Sequence, residues 1–161
     1  MHICTLHKQH TSPLHSVLYC PDTDGFAEWQ PSLAAVLATV DVALLDGTFF
    51  DASEIPNRDV STIPHPMCCD TVRILHAVDG GTPLPTPPGA QGEGPPSGPP
   101  CGALNGKEVA FVHLNHSNPL WVETSAQRVW LEGWGVRVAR QGDSWTLEDV
   151  HGDEQQGERR E

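Results

Sequence analysis

The chain has 161 residues, with nine Lys and Arg against 21 Asp and Glu and a formal net charge of -12 when histidine is neutral. So few cations cannot neutralise a phosphate backbone by counterion release, which argues against nucleic acid as the main partner. Five cysteines in no regular spacing (Cys4, Cys20, Cys68, Cys69, Cys101), with no apolar leader and no bilayer-length apolar run, argue against a secreted disulfide framework or a membrane protein, and a cytoplasmic, reducing location is expected.

The first predicted element is the β-branched and aromatic run Ser16 to Cys20 (SVLYC), a strand ended by Pro21 and the turn-like DTDG, which leaves Asp22 just past the strand end. Ser32 is suited to cap a helix through LAAVLATV, and Asp41 then opens the buried-looking strand Val42 to Leu45. Asp46, Gly47 and Thr48 end that strand, and a polar loop runs from Asp51 to Pro64. Pro66 holds His65 out of the α region and is suited to a first helical position, so a helix is predicted from about Pro66 to His76, with His65 immediately before it.

Gly80 to Pro100 is proline-rich with almost no large apolar side chain, too little burial to offset the entropy of ordering it, so residues 78–105 are expected to be a disordered insertion. Beyond it, EVAFVH (Glu108 to His113) is the strongest strand signal and HLNHSNP the loop that leaves it. Thr124 with Gln127 has the spacing of a capping box, for a helix to about Glu132. Val136 to Ala139 and Ser144 to Leu147, joined through RQGD, read as a closing hairpin. The alternation gives an α/β layered domain over residues 1–150, followed by a charged, disordered tail at 151–161.

Asp22, Asp46, His65, His113 and His116 all fall at predicted strand ends or helix starts, where an α/β fold gathers a ligand site. Mixed carboxylate and imidazole donors suit zinc, manganese or iron better than calcium. Each also has a plainer reading: Asp22 and Asp46 as turn formers, His65 as a helix cap. Cys68 and Cys69 lie within a predicted amphipathic helix and are read as small core residues, and Trp121, Trp130, Trp134 and Trp145 as core and interface packing.

The segments YCPDTD, LLDGTFF, IPHP and FVHLNHSNP, in that order, and the closing GVRVARQGDSWTL resemble the second half of metallo-β-lactamase-fold hydrolases related to coenzyme PQQ (pyrroloquinoline quinone) biosynthesis protein B, over about Ser16 to Leu147. The resemblance implies the C-terminal half of an αββα sandwich and a metal-dependent hydrolase, in which water activated by a divalent metal, zinc foremost, attacks an ester-like or phosphodiester-like bond of an unidentified substrate. It implies Asp22, His113 and His116 as metal ligands. In the wider superfamily, which includes tRNA 3′-processing endonucleases, the resemblance gives His65 a role at the leaving group, with Asp46 orienting it.

The H-x-H-x-D-H loop that carries that fold's primary ligands occurs nowhere in the sequence; His2, His7, His10 and His15 have the wrong spacing, although His7 or His10 could stand in for another of the superfamily's histidines. The expectation is therefore a truncated enzyme whose remaining ligands come from a complementing N-terminal half. The alternative is an inactive remnant that serves as an interaction module. A half-sandwich also leaves one sheet face uncovered, which predicts self-association.

Overall fold

The computed structural model describes residues 2–5, 15–77, 104 and 107–145. The insertion at 78–105 apart from Leu104, which is buried in the core, the charged tail, and His7 and His10 lie outside these residues. Five strands form one sheet in the order β1 (His2–Thr5), β2 (Ser16–Cys20), β3 (Val42–Asp46), β4 (Glu108–Val112) and β5 (Val136–Val138). β1 is antiparallel to β2, whereas β2 to β5 all run parallel. The helices α1 (Leu33–Leu37), α2 (Cys68–Ala77) and α3 (Ala126–Gly133) fall between successive parallel strands, as parallel pairing requires a crossover. This is the α/β class expected from the sequence.

The register divides the sheet into two faces. Leu18, Ala43, Val109 and Val136 are cross-strand partners in one row, and Cys20, Leu45, Phe111 and Val138 in the next. All eight are buried and belong to one cluster with Leu33, Val36 and Leu37 of α1, Cys68, Val72 and Leu75 of α2, and Trp130 and Leu131 of α3. Alternate residues point to the other face: Val17, Tyr19, Val42, Leu44, Ala110 and Val112. None of these joins the cluster, and Tyr19 is 43% exposed.

Local chemistry explains where the elements depart from expectation. α1 stops at Leu37 because the Thr39 hydroxyl and N–H both donate to the Val36 carbonyl, and Val40 N–H to Leu37, a tightening that suits β-branched residues poorly disposed to a helix. α2 starts at Cys68, not Pro66, because Met67 is held in a parallel bridge with Phe49, and Cys68 and Cys69 N–H donate to the Phe49 and Phe50 carbonyls. His65 therefore stands three residues ahead of the helix rather than next to it. The cap of α3 is Ser125, which accepts from Arg128 N–H, in place of the Thr124 box.

The closing hairpin is also corrected. β5 pairs parallel with β4, and Arg140 and Asp143 close a turn in which Arg140 N–H donates to the Asp143 carboxylate at 2.8 Å, with Ser144 and Trp145 in no strand. Thr146 and Leu147 lie outside the described residues. Strand β1 was not anticipated. Among the described residues no helix is long and apolar enough to cross a membrane.

Candidate metal centre

Because β2, β3 and β4 are parallel and adjacent, their C-terminal ends share one edge of the sheet, the edge where ligand sites of α/β folds assemble. Asp46 is the last residue of β3, Asp22 lies two residues beyond β2, and His113 follows β4 directly. His65 reaches the same edge from the loop before α2.

The turn after β3 is built tightly. Gly47 N–H donates to the Val112 carbonyl at 2.9 Å, and a Cβ at Gly47 would stand 2.7 Å from Phe111 Cβ and 3.0 Å from the Val112 oxygen, so only glycine fits. Asn115 N–H donates to the Thr48 carbonyl, and buried Asn118 donates through Nδ2 to the Gly47 (2.8 Å) and Thr48 (3.2 Å) carbonyls while accepting from Leu120 N–H. These bonds fasten the loop after β4 to the turn after β3. His113, at the start of that loop, has φ +61°, a left-handed conformation that is strained for a residue with a Cβ.

Asp46 is fully buried, and four hydrogen bonds converge on its carboxylate. Oδ1 accepts from Thr48 N–H (2.8 Å) and from the Thr48 hydroxyl (2.6 Å); Oδ2 accepts from Thr23 N–H (3.2 Å) and from His65 Nδ1–H (2.7 Å). A carboxylate offers about four lone-pair positions, so those of Asp46 are all engaged. With Nδ1 committed as a donor to Asp46, His65 keeps its lone pair on Nε2. The His65 and His113 rings lie 5.7 Å apart at a 47° tilt, and Phe49 meets His65 edge to face.

Ligand atoms of Asp46, His65 and His113 all lie within 4.8 Å of one another, a spacing that could hold a metal ion. Within this group the hydrogen bonds separate the roles: Asp46 is spent on orienting its neighbours, whereas each imidazole can offer one nitrogen. Nitrogen donors of this kind fit zinc and its first-row neighbours. Asp22 is 74% exposed, with Oδ1 3.8 Å from His65 Nδ1, beyond hydrogen-bonding distance. His116 is exposed and lies in the turn that follows the Asn115–Thr48 tie. The structure thus brings together Asp46, His65 and His113, and leaves Asp22 and His116 out of the group with metal-ligand spacing. His15 is at the opposite edge of the sheet, 3.7 Å from Asp41.

Three contributors were not singled out from the sequence: Thr48, Gly47 and Asn118. The dipeptide Gly47-Thr48 directly after a strand-ending Asp was the available signal, since a glycine at a strand end marks close backbone approach. Asn118 before Pro119 reads only as a loop residue.

No protein-family model matches the sequence, and no curated protein does. Among solved structures, the zinc-bound PqqB from Methylobacterium extorquens is similar, with 24% sequence identity and a TM-score of 0.47 over 83% of this chain and 40% of that one. The chain thus spans about two fifths of the length of that protein.

Proposed function

We propose that the chain carries part of the active site of a metal-dependent hydrolase acting on an ester-like or phosphodiester-like bond. The observation that carries this reading is the buried Asp46–His65 pair, 2.7 Å between Oδ2 and Nδ1, with the His113 ring 5.7 Å from the His65 ring at the C-terminal edge of parallel strands. A bound divalent metal, zinc before manganese or iron, would supply the positive charge that polarises a water for attack. His113, with Asp22 or His116 after a loop adjustment, would hold it. Asp46 fixes the His65 ring and leaves Nε2 free to exchange a proton with the reacting group, so His65 assists departure of the leaving group. Phe49 against His65 limits the ring's freedom to turn. The sequence resemblance to PQQ biosynthesis protein B-like hydrolases points the same way; a complementing half-domain would add ligands to a centre that the chain alone already forms well enough for slow turnover.

The test is hydrolysis of bis(p-nitrophenyl) phosphate and p-nitrophenyl acetate by the purified full chain with zinc or manganese. The reading expects metal-dependent turnover that falls by about 10²-fold or more in His65→Ala, the usual worth of a positioned acid or base. Turnover that is absent, metal-independent or unchanged in His65→Ala would overturn it.

The partly exposed apolar face bearing Tyr19 favours a second reading, a non-catalytic interaction module, because parallel sheets are ordinarily covered on both faces. It becomes the better reading if metal binds and no substrate turns over.

A further inference from the structure

We propose that Thr48 is the positioning residue that sets the tautomer of His113 and, with Asp46, makes both imidazoles present Nε2 as the free nitrogen. The Thr48 hydroxyl lies 2.6 Å from Asp46 Oδ1, 3.1 Å from His113 Nδ1 and 3.2 Å from His65 Nδ1. A hydroxyl has one proton and two lone pairs. The carboxylate oxygen can only accept, so the single proton goes to Asp46. Both imidazole nitrogens must then meet lone pairs of Oγ1, which means that each carries a hydrogen on Nδ1. His65 Nδ1–H has its shorter bond to Asp46 Oδ2, at 2.7 Å. For His113, Thr48 is the acceptor that selects Nδ1–H.

Thr48 is only 7% exposed, and its own N–H donates to Asp46 Oδ1, so the hydroxyl is held in place from the backbone. It also stands among Asp46 Oδ1 and the two Nδ1 atoms, within 3.2 Å of each, and so excludes an ion from the Nδ1 side. A metal must then be taken on the Nε2 side, a consequence that rests on the hydrolase reading; the tautomer assignment does not.

The experiment is two-bond ¹H–¹⁵N correlation of the histidine rings in the full ¹⁵N-labelled chain, without metal, at a pH where the rings are neutral. It is run on the wild type, Thr48→Ser and Thr48→Val, followed by zinc titration of each. The expected result is His113 as the Nδ1–H tautomer in the wild type and in Thr48→Ser. Thr48→Val should move it toward Nε2–H and weaken zinc binding by about 10- to 100-fold, the usual effect of removing a group that orients a ligand. An Nε2–H tautomer for His113 in the wild type would overturn the proposal even if Thr48→Val fails to fold, and so would an unchanged tautomer in a folded Thr48→Val. Correct tautomers with no zinc binding in any form would sink the metal reading and leave the role of Thr48 standing.

Discussion

His113 holds a left-handed backbone at the point where its side chain enters the site. Such strain costs about 1 kcal/mol or more in a residue with a Cβ and is absent in glycine. Since His113 is exposed, its side chain contributes little packing. His113→Gly is therefore expected to be more stable than His113→Ala by about 1 kcal/mol, read from urea midpoints, although both lose the imidazole. Equal midpoints would show that the strain is relieved in solution. Gly47 poses the opposite constraint: Gly47→Ala should destabilise the chain by about 1–3 kcal/mol, because the added methyl meets the Phe111 Cβ and the Val112 carbonyl within the sheet. Asp46, His65 and His113 were legible as candidates because strand and helix limits can be read from residue types. Thr48 was not, because a hydroxyl gains its meaning only from the three groups around it, which are supplied by three separate segments.

The loop Phe49 to Glu54 joins the site to the segment after β4 at the scale of elements. Glu54 accepts from Phe50 N–H and from the Ser117 hydroxyl (2.9 Å), so one carboxylate spans two loops that flank His65 and His113. Burial pushes the Glu54 carboxyl above its ordinary 4.5, against the lowering effect of the Phe50 N–H and the Ser117 hydroxyl. A carboxyl whose folded pKa is raised binds its proton more tightly folded than unfolded. Its contribution to stability is thus complete below about pH 4.5 and lost as the pH rises through the folded value. Glu54→Gln should remove that dependence, so its stability relative to the wild type rises across the window above pH 4.5 in paired denaturation curves. A constant difference would show that Glu54 is not desolvated. Asn118 is the other clamp between these loops, and Asn118→Ala, which takes the Asn118 donor from the Gly47 carbonyl and the acceptor from Leu120 N–H, should cost about 1–3 kcal/mol. The sequence shows these segments as polar loops of turn formers. Their tertiary ties have no local periodicity to reveal them, which is also why the cap moved from Thr124 to Ser125 and α2 began two residues late.

For the molecule as a whole, the parallel order β2 to β5 was legible through alternating strand and helix patterns, whereas β1 was not, since four residues of HICT carry little periodicity. Burial decides the fate of the cysteines. Cys69 is pushed up to about 12, by burial and then by the neighbouring Asp70, and burial raises Cys68 well above 9.0. Neither thiol is available as a thiolate in the folded chain, so iodoacetamide at pH 8 should label Cys68 and Cys69 only at the rate of unfolding, measured by peptide mapping. Fast labelling would mean that α2 opens locally.

The most direct test of the central claim is zinc content, by elemental analysis after dialysis against metal-free buffer, of the full chain beside His65→Ala, His113→Ala and the opposite-edge control His15→Ala. Near-stoichiometric zinc is expected in the wild type, in His15→Ala and in His65→Ala, whose ring serves proton exchange, and its loss in His113→Ala. No zinc in any of them, or zinc that survives His113→Ala, would contradict the assignment of His113 as the ligand of a metal centre at the strand ends.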